Sequence, residues 1–279
     1  MSKIGRYKIV REIGRGEQPA ILYEAFDPKF GRPVSIKTIV LNIPDPTEDA
    51  SLVRERYVRE ARIAAALVHP NIVTVYDAFQ KHGNVHIVME SVNGQSLKQA
   101  LPELLQQPIQ RRLEILEEAS AALNFAHSKG MFHRGISPSK IVIDERGHAK
   151  IDGFGTAQLA EPPFPHVVAI GPLHYLAPEQ VKGGLPTERT DQFALAAVAY
   201  LMLTGREPFQ GDSIQSRLYK LVMEPATAPS SLNPALGPEV DRVLDNAMAK
   251  DPGNRLDSCT GFLEALKAAV KMSMRTDTF

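Results

Sequence analysis

The ten residues Met131-Phe-His-Arg-Gly-Ile-Ser-Pro-Ser-Lys140 decide the fold of this chain. They precede two short apolar segments, Ile141-Val-Ile and Ala149-Lys-Ile, which predict a hairpin. Gly153-Phe-Gly155 follows directly, and its first glycine lies eighteen positions after Gly135. Glycine has no side chain that accepts a proton or binds a metal ion. Whatever this polar loop does chemically, residue 135 cannot contribute a side chain to it.

On the N-terminal side of this loop, the sequence predicts a five-stranded antiparallel sheet with one helix. Alternating apolar residues separated by Gly- or Pro-bearing breaks indicate the strands, at Tyr7–Ile13, Ala20–Phe26, Arg32–Val40, Ile72–Phe79 and Val85–Ser91. The helix is predicted over about residues 48–67. Its apolar residues recur at spacings of three and four, and Pro70 ends the pattern.

On the C-terminal side, the pattern becomes helical. The predicted helices span about residues 110–128, 189–204, 212–223, 238–248 and 258–271. The composition changes at Asn93-Gly94, so we place a domain boundary there. The sequence thus predicts an α+β fold with a small sheet lobe over residues 1–93, a larger helical lobe over 94–271, and a tail or linker at 272–279.

Composition excludes several classes of protein. The chain has 279 residues, 43% of them hydrophobic, and 32 basic residues against 32 acidic ones, so no general charge favours binding to nucleic acid. Cys259 is the only cysteine, which excludes an internal disulfide and suits a reducing compartment, by default the cytoplasm. The longest apolar run, Ala194–Leu203, is too short to span a membrane, and the first residues lack the apolar core of a signal peptide.

Further motifs stand in a fixed order around the loop. They are Gly14-Arg-Gly16-Glu-Gln-Pro-Ala-Ile21, Val34-Ser-Ile-Lys37, Glu60, His69-Pro-Asn-Ile72, Gly171-Pro-Leu-His-Tyr-Leu-Ala-Pro-Glu179, Asp191 and Arg255. A glycine-rich turn lets backbone N–H groups approach phosphates. In order and spacing, these segments resemble the motifs of the protein kinase superfamily over about residues 7–270, and most of all bacterial serine/threonine kinases of the eukaryotic type.

The resemblance implies a bilobal fold and a set of nucleotide-binding residues. Lys37 paired with Glu60 would fix the phosphates, and the glycine turn would supply Gly14 and Gly16. Met89 would be the gatekeeper residue at the adenine pocket. The other implied pocket residues are the Glu90 carbonyl and Val92 amide, facing the adenine edge, and Ile21, Ser35 and Val142, stacked around the ring. These last three are equally compatible with a purely structural role in the cores of the two lobes.

The chain departs from the family where the family performs its chemistry. Gly135 replaces the aspartate that receives the substrate proton, and Lys140 replaces the asparagine that binds magnesium. Gly153 replaces the second magnesium-binding aspartate. We therefore expect no catalytic and no metal-binding residue in this chain. Asp152 is the one candidate for a metal ligand if the motif is shifted by one residue. Because Asp152 lies one position before Gly153, its side chain on an extended segment should point to the opposite face, which argues against this role.

Three hypotheses follow from these departures. The first is a pseudokinase that binds a protein partner and for which binding of ATP without dependence on Mg²⁺ stays open. The second is an active serine/threonine kinase that uses Asp152. The third is a scaffold that binds no nucleotide.

The segment between residues 156 and 171 bears on the partner. Residues 158–170 contain no Ser, Thr or Tyr, so the family's phosphorylation switch is absent. Phe164 and Val167 are among its apolar residues, which would either dock a partner or cover the catalytic cleft.

Overall fold

The computed structural model describes residues 2–15, 20–40, 50–154 and 173–276. Among these, an N-terminal unit comprises residues 2–93 together with 152–154, and a C-terminal unit comprises residues 94–151 and 173–276. Among the residues described, no helix is both long and apolar enough to cross a bilayer.

The N-terminal unit is built on a six-stranded antiparallel sheet in the order β1-β2-β3-β4-β6-β5. The strands are β1 (Lys3–Ile4), β2 (Tyr7–Arg15), β3 (Ala20–Asp27), β4 (Arg32–Ile39), β5 (Val75–Lys81) and β6 (Asn84–Glu90). The prediction of five strands was wrong by one. With two residues, β1 is too short to show an alternating pattern, and it extends the sheet by pairing Ile4 with Tyr7.

One face of this sheet forms a core with Tyr7, Ala25, Val34, Ile36 and Val88, all nearly inaccessible to solvent. The core explains the alternation in β3 and β4, since residues two apart on a strand share a face. Helix α1 (Ala50–Ala64) packs against β5 and β6. It ends three residues before the predicted end, because the chain tightens there into i→i−3 turns that bury Leu67.

The C-terminal unit is mainly helical, as predicted. Its helices are α2 (Leu97–Leu104), α3 (Ile109–Ser128), α4 (Pro178–Val181), α5 (Glu188–Thr204), α6 (Ile214–Met223), α7 (Pro229–Leu232), α8 (Pro238–Ala247) and α9 (Cys259–Thr276). Helix α5 is buried from Thr190 to Leu203 and packs against α3 and α9. The core of this unit therefore surrounds α5.

The C-terminal end of the chain differs from the prediction. Helix α9 continues through Thr276, so residues 272–276 are not a tail or linker. Ser273 is buried, and its hydroxyl donates to the Ala269 carbonyl and accepts from the Gly237 amide. These bonds hold the last turns of α9 against the unit.

A small sheet, β7-β8-β9, carries the predicted hairpin. Its strands are β7 (Gly94–Ser96), β8 (Ile141–Asp144) and β9 (Ala149–Ile151). Sequence reasoning missed α2, although Ser96-Leu-Lys-Gln99 is a capping-box signal. The Ser96 hydroxyl accepts from the Gln99 amide, and the Gln99 side chain accepts from the Ser96 amide.

Candidate functional site

The loop at residues 131–140 is held in place by one buried carboxylate. Asp191, in the first turn of α5, is fully inaccessible to solvent. Its oxygens accept from the amides of His133 (2.7 Å) and Arg134 (2.6 Å), and from Nε2 of His127 (2.8 Å). A buried carboxylate needs such donors to offset its desolvation. Asp191 therefore fixes the backbone immediately before Gly135.

The backbone of this loop is further constrained at Arg134. Its φ is +64°, in the left-handed region that non-glycine residues seldom adopt. The Arg134 carbonyl accepts from the Gln180 side chain (2.8 Å), and the Gly135 amide donates to Nδ1 of buried His133 (3.2 Å). The loop is thus a defined structure in which residue 135 has a defined position.

At the positions where the resemblance places a general base and a metal ligand, the loop has residues that can serve as neither. Gly135 has no side chain, and Lys140 ends in an ammonium group, which repels a divalent cation. Ser137 is fully buried, and its hydroxyl lies 3.0 Å from that of Ser139. Within the family's catalytic loop, the donor set therefore does not fit a magnesium ion.

The segment around Gly153 corrects one step of the sequence argument. Strand β9 ends at Ile151, and Gly153 has a φ of +109°. The alternation of side chains along a strand therefore cannot be applied from Asp152 to Gly153, because the backbone at Gly153 is not extended. The argument from strand geometry against Asp152 as a ligand fails. What remains against it is the eighteen-residue spacing that assigns the family's position to Gly153.

In the N-terminal unit, Lys37 and Glu60 are both buried, at 8% and 7% exposure. Lys37 lies on β4 opposite Ile87, and Ser35 lies opposite Met89. Directly paired residues share a face of the sheet. The structure thus places Ser35, Lys37 and Met89 on one face of the sheet. Their role in binding a nucleotide and the Lys37 to Glu60 ion pair stay predictions.

Ile21, which the resemblance places beside the adenine ring, does not lie on that face. The β3–β4 pairing is continuous, with Ile21 opposite Thr38 and Leu22 opposite Lys37. Leu22 therefore shares the face of Lys37, and Ile21 lies on the other one. The spacing within the glycine motif does not fix this face, because the face depends on the pairing register.

The remaining predicted site residues lie in both units. The Glu90 amide donates to the Thr74 carbonyl (2.8 Å), and its carboxylate accepts from the Thr74 amide (3.2 Å). Gly14 pairs with Leu22 next to a β-bulge. Val92 is half-buried, and Val142 on β8 pairs with Ser96 and Lys150 within the C-terminal unit. Gly16 and the segment with Phe164 and Val167 lie outside the described residues.

Glu179 and Arg255 form the buried pair that the motifs predict. Two parallel hydrogen bonds of 2.8 Å join the guanidinium to the carboxylate, and the Arg255 side chain is fully buried. The Thr190 hydroxyl also donates to Glu179 (2.9 Å). Burial raises the pKa of the Glu179 carboxyl, but hydrogen bonds from Arg255 and Thr190 outweigh it, so the pKa lies below its ordinary value. Sequence reasoning missed Thr190 and the bond from Gln180 to the loop.

Comparisons with known proteins agree with this geometry. A family model described as "Protein kinase domain" matches residues 7–268. The chain is 36% identical to the serine/threonine-protein kinase PrkC of Bacillus subtilis over 98% of its length and 41% of that protein's. It is 33% identical to PknA of Mycobacterium tuberculosis over 97% of its length and 62% of that protein's. It thus spans about two fifths to three fifths of these relatives. With a matching family model over nearly its whole length, the chain belongs to the protein kinase family.

Proposed function

We propose that this chain is a kinase domain that has lost phosphotransfer and acts by binding a protein partner. One observation carries the proposal: the backbone of the loop is held in place, but the residue at the catalytic position has no side chain. Asp191 still holds the His133 and Arg134 amides. The next residue, Gly135, offers no proton acceptor.

The loss extends to the groups that bind metal in the family. Loss of a general base alone costs about 10² to 10⁴ in rate, and loss of metal electrostatics costs several kcal/mol more. These effects do not simply add within one site. Even so, Gly135, Lys140 and Gly153 together leave no plausible route to turnover near the family's range of about 1–100 s⁻¹.

We further propose that ATP, if it binds, does so weakly and with little dependence on Mg²⁺. The buried Lys37 and Glu60 and the face shared by Ser35 and Met89 support a phosphate and adenine site. The adenine would contact the face with Ser35 and Met89, and the Lys37 ammonium would offset part of the phosphate charge. No residue at the family's metal positions would add affinity for the cation.

The test is one experiment in two steps on the same sample. The melting temperature is measured with millimolar ATP, with and without Mg²⁺, and phosphotransfer to the chain itself and to a generic basic protein follows. A ligand at 100 times its Kd stabilises a fold by about 2.7 kcal/mol, which at this size raises the melting temperature by several degrees. We expect a similar shift in both conditions and no incorporation of γ-phosphate. No shift at all would favour a scaffold that binds no nucleotide.

An active kinase that uses Asp152 as a metal ligand is the second candidate. The comparisons favour it, since the relatives are named as serine/threonine kinases. The end of β9 before Asp152 also removes the geometric argument against that carboxylate. Incorporation of γ-phosphate that requires Mg²⁺ and is abolished by Asp152→Ala would establish this candidate and overturn the proposed loss of chemistry.

A further inference from the structure

The loop at residues 131–140 is positively charged. It contains two cations, Arg134 and Lys140, and no Asp or Glu, so its formal charge is +2 with His133 neutral. Asp191, which bonds to its backbone, is fully buried and accepts from its amides. The loss of a reaction needs only the removal of a carboxylate, whereas Lys140 adds a positive charge where the resemblance places a neutral asparagine. The charge of this loop therefore favours an anionic ligand.

Lys140 lies at the end of a tight turn. Its amide donates to the Ser137 carbonyl (2.9 Å), which closes the turn Ser137-Pro-Ser-Lys140. Proline in the second position favours such a turn because its φ is already fixed. The Lys98 amide donates to the Pro138 carbonyl (3.0 Å) and so ties the turn to the first residues of α2. The backbone that carries Lys140 is therefore fixed before any ligand binds.

The turn presents two hydrogen-bond donors next to each other, the Ser139 hydroxyl and the Lys140 ammonium. Both residues are half-buried, whereas Ser137 is fully buried. The two serine hydroxyls lie 3.0 Å apart, and either of them can be the donor. Because a buried hydroxyl donates where it has an acceptor, Ser137 donates to Ser139. The Ser139 proton is then available to a ligand.

The Lys140 ammonium has no partner within the part of the chain that the structure describes. Its side chain forms neither a hydrogen bond nor an ion pair with any described residue, although its amide is bonded. Other lysines of the same unit have partners. Lys267 pairs with Glu117 (2.8 Å), and Lys250 donates to the Leu221 carbonyl (2.7 Å). Lys140 therefore keeps all three of its ammonium protons for a ligand.

We propose that this loop binds a phosphorylated serine or threonine side chain of a partner protein. A phosphomonoester carries a charge of about −1.5 to −2 at pH 7 and has three strong acceptor oxygens, which matches the formal charge of +2 on the loop. The Lys140 ammonium and the Ser139 hydroxyl would donate to these oxygens. Gly135 has no carboxylate that would repel them. The proposal rests on the partner-binding role proposed above and names the chemistry of the partner.

The experiment starts from two synthetic libraries of random peptides that are identical except at the central residue, which is phosphoserine in one and serine in the other. Both are selected on the full chain without ATP, so that no peptide is phosphorylated during the selection. We expect enrichment from the phosphoserine library alone. The enriched peptides, fluorescently labelled, are then titrated by anisotropy. Serine in place of phosphoserine should raise the Kd by about tenfold or more, because hydrogen bonds to a charged group contribute more than neutral ones.

Variants of the loop test each contact. Lys140→Glu reverses the charge and Gly135→Asp introduces a carboxylate next to the phosphate, so each should raise the Kd of the phosphopeptide by about tenfold or more. Ser139→Ala removes a donor to a charged group and should raise it by about tenfold. The matched control is Lys271→Glu, which reverses an exposed lysine on α9 of the same unit and should leave the Kd unchanged. Circular dichroism checks that each variant is folded.

Several outcomes would overturn the site: no enrichment above the blank support, equal enrichment from both libraries, or an unchanged Kd for Lys140→Glu. Binding of inorganic phosphate, ATP or duplex DNA that depends on Lys140, in place of phosphopeptides, would assign the loop to another anion and reject the proposal. Phosphotransfer by the wild-type chain in the separate assay with ATP would end the proposed loss of chemistry. A failed peptide selection would leave that loss intact, so the two failures are distinguishable.

Discussion

At the scale of single residues, Arg255 is fully buried and is paired with Glu179, whose side chain is 13% exposed. Arg255 also donates to the Ala249 and Arg189 carbonyls (2.8 and 2.9 Å). Truncating one partner leaves the other charge buried, which costs roughly 3–5 kcal/mol. We expect Arg255→Ala and Glu179→Ala each to lower the free energy of unfolding by this amount in guanidinium titrations. Arg15→Ala, in an exposed pair, should cost about 0–1 kcal/mol. An unchanged midpoint for Arg255→Ala would show that the buried pair does not stabilise the fold.

A second residue-scale prediction concerns pH. Burial lowers the pKa of His86, whose Nδ1 lies 2.9 Å from the Thr38 hydroxyl. The folded state therefore favours the neutral ring. Its contribution is fully present above the unfolded-state pKa of about 6.5 and is lost as the pH falls through the folded-state pKa. We expect unfolding free energies to decrease from pH 7 to pH 5, and His86→Gln to reduce that slope. An unchanged slope for His86→Gln would exclude this cause.

At the scale of secondary-structure elements, the long helices were predicted more accurately than the short elements. Helices α3 and α5 have many residues on a buried face, and their predicted bounds were within one residue of the observed ones. Strand β1 and helix α4 are too short to show a period. The face of Ile21 could not be derived from the glycine motif, because one additional residue in a turn reverses every side chain that follows. Only the pairing register of β3 with β4 shows which face of the sheet Ile21 occupies.

Strand β7 gives an element-scale prediction. Gly94 pairs with Asp144, and a Cβ at Gly94 would collide with the backbone carbonyl of Ile143. A backbone atom cannot move aside as a flexible side chain can, so Gly94→Ala should separate β7 from β8 and lower the unfolding free energy by about 1–3 kcal/mol. Hydrogen exchange should show faster exchange in β7 and β8. Gly183→Ala tests a glycine whose Cβ would meet open space, although its φ of +76° adds some strain. Equal exchange in β7 for both variants would contradict the close approach.

At the scale of the whole molecule, the residues that support the fold keep their contacts, while the loss of the residues that perform the family's reaction is our proposal. Asp191, Glu179 and Arg255 keep the contacts that fix the loops of the C-terminal unit. The order of motifs was enough to predict the fold class, because structural and catalytic motifs are interleaved along the chain. The sequence could not predict the hydrogen bonds of Gln180 and Thr190 to these loops, since such contacts are properties of the folded unit.

Because the proposed loss of chemistry comes from three positions, we expect activity to return when the family's residues are introduced at all three. The frame around residue 135 is intact, so Gly135→Asp/Lys140→Asn/Gly153→Asp should transfer γ-phosphate in the presence of Mg²⁺, at least about tenfold above the wild-type background, given that a general base alone contributes about 10²-fold or more. Adding Lys37→Met should abolish the transfer, and Gly135→Asp alone should be inactive because no metal ligand accompanies it. With a φ of +109° at Gly153, the aspartate there should cost about 1–3 kcal/mol of stability. A folded triple variant without incorporation of ³²P would show that the chain has lost more of the family's machinery than these three side chains.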